Sequence, residues 1–251
     1  MGLNHWNLLN RDITACASCP RLVAHCHEIA TTKRKAFRDC NYWGRSVPNF
    51  GDPQAKLLIV GLAPGAHGAN RTGRMFTGDR SGEWLYRALF RAGFSNQADS
   101  TSCEDGLELR DCAITAICHC APPGNKPSRT EISQCEPWLR KTIDLVDPQL
   151  VLALGQIAWK GALDECLKRG WYEGRRPKFA HGVQARLTNG RWLIGSYHPS
   201  QQNTFTGKLT ESMFDDIFNR ANRLLRRADS TRSAGSSLTS HGGELQWPSY
   251  C

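Results

Sequence analysis

The chain has 251 residues, of which 40% are hydrophobic and 22% charged, which favours one large globular domain and excludes collagen, coiled coil and full disorder. Its 32 basic residues against 23 acidic ones give a net charge of +9, which favours a polyanionic partner, nucleic acid first among them. No apolar run approaches the ~20 residues of a membrane span, and no secretory or myristoylation signal is present, so we expect a soluble, cytoplasmic protein.

Four short apolar segments predict buried parallel strands, at 56–61, 112–117, 150–155 and 192–197. Helical patterns follow them, at 83–92, 129–146, 156–167 and 209–227. Strands and helices alternating at this spacing predict an α/β fold in which helices cover both faces of a parallel sheet. From Ala228 onward the chain is rich in Ser and Gly, so we predict a folded domain at 1–227 and a disordered tail at 228–251.

Two segments at strand ends are the first candidates for a binding site. GLAPGAHGANRTGRMFTGD, at 61–79, follows the first predicted strand, and YHPSQQN, at 197–203, follows the fourth. Ligands of open α/β sheets bind at the carboxyl ends of strands, where glycines let the backbone approach a ligand closely. Arg71 and Arg74 in the first segment are candidates for phosphate contacts.

The three most suggestive side chains in these segments each have an ordinary structural explanation. Asp79 precedes a predicted helix and is a candidate helix cap. His198 is a candidate turn histidine whose ring bonds a carbonyl, and Phe76 is a candidate core residue. The prediction that all three share one rim of the sheet favours a functional site.

The spacing of the cysteines predicts a metal centre. Cys16 and Cys19 form a CxxC pair, and Cys120 and Cys135 lie on either side of a predicted loop. Eleven cysteines in a cytosolic chain indicate metal ligation or burial rather than disulfides. Four thiolates suit either a tetrahedral zinc site or an iron–sulfur cluster, and spacing alone does not separate the two.

Taken together with HPS at 198–200, NTFTGKLT at 203–210 and YWGRSVPNFGDP at 42–53, these motifs resemble the uracil-DNA glycosylase superfamily, and most closely its family 5, the UDGb type. The resemblance covers residues 16–227. It implies a three-layer α/β/α fold with a central four-stranded parallel sheet, a [4Fe–4S] cluster, and hydrolysis of the base–sugar bond in damaged DNA. The cluster ligands it implies are Cys16, Cys19, Cys120 and Cys135, in a structural role.

The resemblance also assigns catalytic roles. Most relatives carry a carboxylate or amide where this chain has Leu62, and family 5 uses the later aspartate instead, here Asp79. That side chain orients the attacking water or stabilises the sugar cation, with Asn125 as a helper for the water. His198 donates a hydrogen bond to the departing base. No lysine in these motifs is placed to form a Schiff base, so we predict a monofunctional enzyme.

Selectivity and DNA contacts follow from the same comparison. Ala116 replaces the asparagine with which family 4 enzymes read the uracil edge, so we expect several deaminated bases to be accepted, hypoxanthine and xanthine among them. Phe76 stacks on the extruded base, and the other residues predicted to bind substrate are Gly61, Ala63, Gly65, Ala116 and Ser200. The predicted phosphate contacts are Arg71, Arg74, Lys126, Arg129 and Lys208, while Met75, Leu209 and the loop 201–208 probe the opposite strand.

The predicted partner is therefore double- or single-stranded DNA that contains damaged bases, bound by a monomer at the nucleoid in base excision repair. Two alternatives remain at this point. One is a catalytically inactive, metal-stapled module that binds DNA or senses damage. The other is a strictly uracil-specific enzyme like those of family 4.

Overall fold

Six strands form one sheet in the computed structural model of the chain, which describes residues 2–233. They are β1 (Phe50–Gly51), β2 (Leu57–Gly61), β3 (Cys112–Ala116), β4 (Leu150–Leu154), β5 (Gln184–Arg186) and β6 (Trp192–Ser196). Their order across the sheet is β1-β3-β2-β4-β6-β5. The four inner strands are parallel, and the two edge strands pair antiparallel with their neighbours.

The predicted α/β fold is confirmed, and the four predicted strands are the four parallel ones, each within one residue of its predicted bounds. The sheet is wider than the predicted four strands because β1 and β5 extend it at its two edges. These strands have only two and three residues. Segments this short carry too few positions for an alternating pattern to be recognised.

The helices are α1 (Gly2–Thr14), α2 (Pro20–Thr32), α3 (Ala69–Thr72), α4 (Arg80–Arg91), α5 (Arg129–Val146), α6 (Gln156–Lys168), α7 (Gln201–Phe205) and α8 (Glu211–Ser233). The four predicted helices correspond to α4, α5, α6 and α8. Helices α1, α2, α3 and α7 were not among the predicted helices. Helix α8 includes the first six residues of the predicted tail, and the rest of that tail, residues 234–251, lies outside the described residues.

Two apolar cores lie on opposite faces of the sheet and hold β2 between them. Leu57 and Ile59 face the core that includes α4 and α8, and Leu58 and Val60 face the core that includes α1, α5 and α6. Burial of each such side chain contributes roughly 1.5–3 kcal/mol. The strand from which the glycine-rich loop, residues 61–79, departs is therefore fixed from both sides.

Two further observations bear on the broad class of protein. No helix in the described part of the chain is long and apolar enough to cross a membrane. Among residues 2–233, nine cysteines carry free thiols, whereas Cys103 is disulfide-bonded, contrary to the expectation that the cysteines do not form disulfides.

Candidate functional site

Phe76 lies across the carboxyl end of β2. Its backbone has a φ of 55°, in the left-handed region that residues with a side chain rarely adopt. A Cβ added to Gly61 would stand 2.9 Å from Cε2 of the Phe76 ring, and a Cβ added to Gly82 would stand 1.7 Å from the Phe76 carbonyl oxygen. The absence of a side chain at Gly61 makes room for the Phe76 ring, and its absence at Gly82 makes room for the Phe76 carbonyl.

His198 packs against Phe76 from the end of β6. The two rings stack with their centroids 5.8 Å apart and their planes 30° apart. The His198 carbonyl accepts a hydrogen bond from Nδ2 of Asn203 at 2.9 Å, whereas the described residues supply no hydrogen-bond partner to the ring, unlike in the turn-histidine alternative. Burial lowers the pKa of His198 to about 4. The imidazole is therefore neutral near pH 7.

The two carboxylate oxygens of Asp79 have different surroundings: one caps a helix, and the other packs against the glycine-rich loop. Oδ1 accepts a hydrogen bond from the Gly82 backbone N–H at 3.0 Å, which caps α4. Oδ2 lies against the loop: a Cβ on Gly65 or Gly68 would stand 2.8 Å or 2.1 Å from it. Burial raises the pKa of Asp79 above its ordinary value, although backbone N–H groups oppose this effect.

Ala116 adjoins this group at the end of β3. It pairs in register with Gly61 and is 2% exposed. The next two backbone N–H groups, those of Ile117 and Cys118, donate to the carbonyls of Gly61 and Leu62 at 3.0 Å and 2.9 Å. A methyl group therefore stands where a polar side chain would have been able to hydrogen-bond a ligand at this edge.

The remaining predicted lining and catalytic residues are less closely joined to the site. Ser200 caps α7, and its hydroxyl oxygen accepts from the Asn203 N–H at 3.4 Å. Ala63 is half-buried in the glycine-rich loop. Asn125 is exposed, and no hydrogen bond in the described part of the chain links it to Asp79 or His198. Its role as a helper for the water stays a prediction.

Arg74 already has partners within the fold, which a phosphate at the predicted contact would have to displace. Arg74 is only 5% exposed, and its guanidinium forms a two-pronged ion pair with Asp105 at 2.8 and 2.7 Å. It also donates to the hydroxyls of Thr77 and Ser100. Its donors are used to hold the glycine-rich loop to the segment 100–105, so Arg74 is a structural residue.

Arg71 also serves the loop in which it lies. Its Nε donates to the His67 carbonyl at 2.9 Å, and its Nη2 donates to the Gly78 carbonyl at 3.0 Å. Its guanidinium carbon lies 4.1 Å from the centre of the Phe37 ring. A phosphate would have to compete with these partners, so the structure favours a bracing role over the predicted phosphate contact.

Two of the apolar residues predicted to probe the opposite strand are buried. Met75 is 1% exposed and Leu209 is 0% exposed, so neither reaches out of the fold. Phe205, in the loop 201–208 of the same prediction, is 69% exposed. Lys208 is also exposed, with its Nζ 4.8 Å from the Tyr197 ring centre, and Lys126 is exposed beside Asn125.

The four cysteines predicted as metal ligands come together. Cys16, Cys19, Cys120 and Cys135 line one recess between the start of α2, the loop after β3 and α5. Burial, together with the other three thiols, raises the pKa of Cys19 to about 11. No three His, Cys, Asp or Glu side chains in the described residues are arranged to hold a single metal ion.

The polar groups beside the recess position its walls. The His119 backbone N–H donates to Cys135 Sγ at 3.4 Å, and the Ser46 hydroxyl lies 3.5 Å from Cys120 Sγ. His119 Nδ1 lies 2.7 Å from the Val47 carbonyl. Because a carbonyl only accepts, Nδ1 carries the proton, and burial lowers the pKa of His119 to about 4.

Comparison with known proteins identifies the family. The model of the uracil DNA glycosylase superfamily matches residues 48–222. The chain belongs to this superfamily. It is 53% identical to a type-5 uracil-DNA glycosylase of Mycobacterium leprae over 218 residues, which cover 86% of this chain and 94% of the relative.

Two relatives from one organism, Pyrobaculum aerophilum, separate the types within the superfamily. The chain is 41% identical to the type-5 uracil-DNA glycosylase over 215 residues, covering 86% of this chain and 91% of the relative. It is 32% identical to the type-4 uracil-DNA glycosylase over 166 residues, covering 63% of this chain and 74% of the relative. The chain is thus a type-5 member of the uracil-DNA glycosylase superfamily.

The sequence analysis missed part of what supports the site in this uracil-DNA glycosylase family member. Tyr42 hydrogen-bonds His67 Nδ1 at 3.0 Å, and Phe37 lies under Arg71. These contacts fasten residues 37–45 to the glycine-rich loop. The position of His67 within the motif at 61–79 was a signal for its involvement, whereas nothing in the local sequence identified Phe37.

Proposed function

We propose that this chain is a monofunctional DNA glycosylase that extrudes uracil and other deaminated bases from DNA and hydrolyses the bond between base and sugar, at the start of base excision repair. The observation that carries the proposal is the grouping of Phe76, His198 and Asp79 at the carboxyl edge of the sheet. It provides a flat ring, a neutral donor and a carboxylate, the three components that the reaction requires.

Base recognition is the first step. A base inside a duplex is inaccessible, so it must leave the stack, at a cost of a few kcal/mol that is smaller for mismatched pairs. Phe76 is only half-buried, and stacking of a base on such a ring is worth about 1–3 kcal/mol. Stacking accepts any flat base, and Ala116 adds no hydrogen bond that would select one. This supports a range of deaminated bases rather than strict uracil specificity.

His198 assists departure of the base. Cleavage of the glycosidic bond leaves negative charge on the base, which a positioned hydrogen-bond donor stabilises. Because the pKa of His198 is about 4, the neutral imidazole can donate to a base carbonyl oxygen without first losing a proton. Its ring stacks on the ring of Phe76, on which we propose that the base is held.

Asp79 serves the sugar side of the bond. The sugar gains oxocarbenium character, and a nearby carboxylate stabilises that charge or orients the attacking water. Oδ1 is held by the cap of α4, which fixes the plane of the carboxylate and leaves Oδ2 at Gly65 and Gly68. The helix cap therefore positions the catalytic group.

The variants that test this assignment are Asp79→Asn and His198→Ala, assayed on duplexes that contain uracil, hypoxanthine or xanthine. Asn also caps helices, so Asp79→Asn keeps the fold, and we expect a loss of about 10²–10⁴-fold in single-turnover rate. We expect about 10²–10³-fold for His198→Ala. Asp99→Asn, the same change at an exposed carboxylate, is the matched control.

The outcomes separate the alternatives. Wild-type rates in both variants would refute the catalytic assignment. Excision of uracil alone would favour a strictly uracil-specific enzyme. DNA binding by the wild type without excision of any of the three bases would favour an inactive binding module.

A [4Fe–4S] cluster bound by Cys16, Cys19, Cys120 and Cys135 belongs to the same proposal. The four thiols line one recess, and four Cys thiolates are the ligand set of a [4Fe–4S] cluster. When bound, the cluster would cross-link the start of α2 to the loop after β3 and to α5.

Elemental analysis of protein purified without oxygen tests the cofactor. We expect about four iron atoms and four sulfides per chain, and loss of both in Cys135→Ser. One zinc per chain with no sulfide would refute the cluster while leaving the glycosylase proposal standing.

A further inference from the structure

Residues 33–45, named here the basic segment, concentrate positive charge at the end of α2. They contain five cations, Lys33, Arg34, Lys35, Arg38 and Arg45, against one acidic residue, Asp39. All but Lys33 of these cations are exposed, and none forms an ion pair within the described residues. Elsewhere many surface cations are neutralised, as in the pairs Arg91–Asp215, Arg140–Glu136, Lys160–Asp164 and Arg169–Asp144.

The basic segment is an ordered turn. Lys33 Nζ donates to the Arg38 carbonyl at 3.2 Å, which closes the turn. The Phe37 N–H donates to the Arg34 carbonyl at 2.8 Å within it. The side chains of Arg34, Lys35 and Arg38 therefore project from a backbone that is already fixed, so only these side chains need to be ordered when they bind a ligand.

The segment is fastened to the glycine-rich loop at several points. The backbone N–H groups of Trp43 and Gly44 donate to the carbonyls of Arg71 and Asn70 at 2.9 and 3.0 Å. Phe37 packs under Arg71, which itself donates to the carbonyl of Gly78, the neighbour of Asp79. Two contacts thus connect the basic segment to the candidate catalytic carboxylate.

Helix capping does not account for this much charge. Cations at a helix C-terminus interact favourably with its dipole, but the effect is limited to the last turn and to about half an elementary charge. The segment carries a net charge of +4 and extends well beyond α2. Burial lowers the pKa of His67 in the glycine-rich loop, and the Arg34 guanidinium of the basic segment adds to this effect, together with Arg71 of the loop itself.

We propose that Arg34, Lys35 and Arg38 bind the phosphates of the DNA strand on the His67 side of the site formed by Phe76, His198 and Asp79. This inference rests on the proposed function, because it assumes that DNA lies across the carboxyl edge of the sheet. It also explains how the site binds a backbone although Arg71 and Arg74 use their donors within the fold. Phosphate contacts of this kind position the DNA without reading its sequence.

The test measures the salt dependence of binding to an undamaged DNA duplex, by fluorescence anisotropy, for the full chain and two triple variants. One variant replaces Arg34, Lys35 and Arg38 with Gln. The control replaces Arg110, Lys141 and Arg186 with Gln, which removes the same charge at exposed positions. Arg110 and Arg186 lie near the amino ends of β3 and β6, at the opposite edge of the sheet.

Each phosphate contact contributes about 0.9 to the slope of log K against log salt concentration. We therefore expect the slope to fall by about 2.7 in the basic-segment variant and to be unchanged in the control. An unchanged slope in the first variant, or equal falls in both, would overturn the proposal. If the basic-segment variant lost more of this slope on an RNA duplex than on the DNA duplex, RNA would be the partner and the proposal would also be overturned.

Failure of the proposed function gives a different result. A wild-type chain that does not excise a damaged base refutes the glycosylase proposal. The salt slopes on undamaged duplex still decide whether the basic segment contacts DNA.

Discussion

Gly68→Ala is expected to disable catalysis by displacing the Asp79 carboxylate. A Cβ on Gly68 would stand 2.1 Å from Asp79 Oδ2 and 2.7 Å from its Cγ. Contacts of a Cβ below 3.0 Å essentially do not occur, so Oδ2 and the loop must separate by 3.0 − 2.1 = 0.9 Å. Misplacement of a catalytic group by about 1 Å costs about 10²-fold in rate, or about 2.7 kcal/mol.

The assay is single-turnover excision of uracil by Gly68→Ala, with the melting temperature measured in parallel. A double-mutant cycle with Asp79→Ala provides the control, because truncation of Asp79 removes Oδ2 and Cγ, the two atoms closer than 3.0 Å to the new methyl group, and keeps only Cβ at 3.0 Å. Gly68→Ala should lower the free energy of unfolding in the wild-type background and have little effect in the Asp79→Ala background. In that background it should also cause no further loss of rate.

Two results would refute this reasoning. One is a folded Gly68→Ala protein whose single-turnover rate stays within about 3-fold of the wild type, well short of the expected 10²-fold. The other is a cycle in which the stability effects of the two substitutions simply add, since additivity would mean that residues 68 and 79 do not interact.

Three other predictions follow from the site. Burial raises the pKa of Asp79 and lowers that of His198 to about 4. We therefore expect kcat/KM to fall at acid pH as the Asp79 carboxylate is protonated, with no step near pH 6.5. The variant His198→Ala should keep this fall at acid pH, and Asp79→Asn should abolish it. Phe205→Ala should weaken binding to duplexes that carry an extruded base by about 1–3 kcal/mol, and equal affinity would exclude Phe205 from the gap that the base leaves. Arg74→Gln should lower the free energy of unfolding by roughly 3–5 kcal/mol in urea titrations, because Asp105 loses its buried partner. A change in the slope of log K for DNA binding against log salt concentration would contradict the structural role of Arg74.

The inner sheet was predictable because its signal is local. Each parallel strand is a largely apolar run, since both of its faces are buried. The spacing of Trp6, Leu9 and Ile13, which are all buried, also carried a helical signal for α1 that the sequence analysis left unused. The edge strands are short, and their pairing depends on partners far away in the chain.

The candidate site was predictable at strand ends and less so within the loops. Residue type suggested Arg74 as a phosphate contact, but its partner, Asp105, is 31 positions away and the sequence gives no sign of the pair. The same limit applies to Met75, whose burial depends on tertiary packing. The positive φ of Phe76 and its close approach to Gly82 also arise only in the folded loop.

Helix α2 joins two regions that are remote from each other in function. It begins next to Cys19, a proposed iron ligand, and ends at Lys33, where the basic segment starts. Its thirteen residues span about 20 Å between these two regions. In the proposed arrangement, loss of the cluster would release the start of α2 and weaken the phosphate contacts proposed for the basic segment, without touching any group that acts on the base.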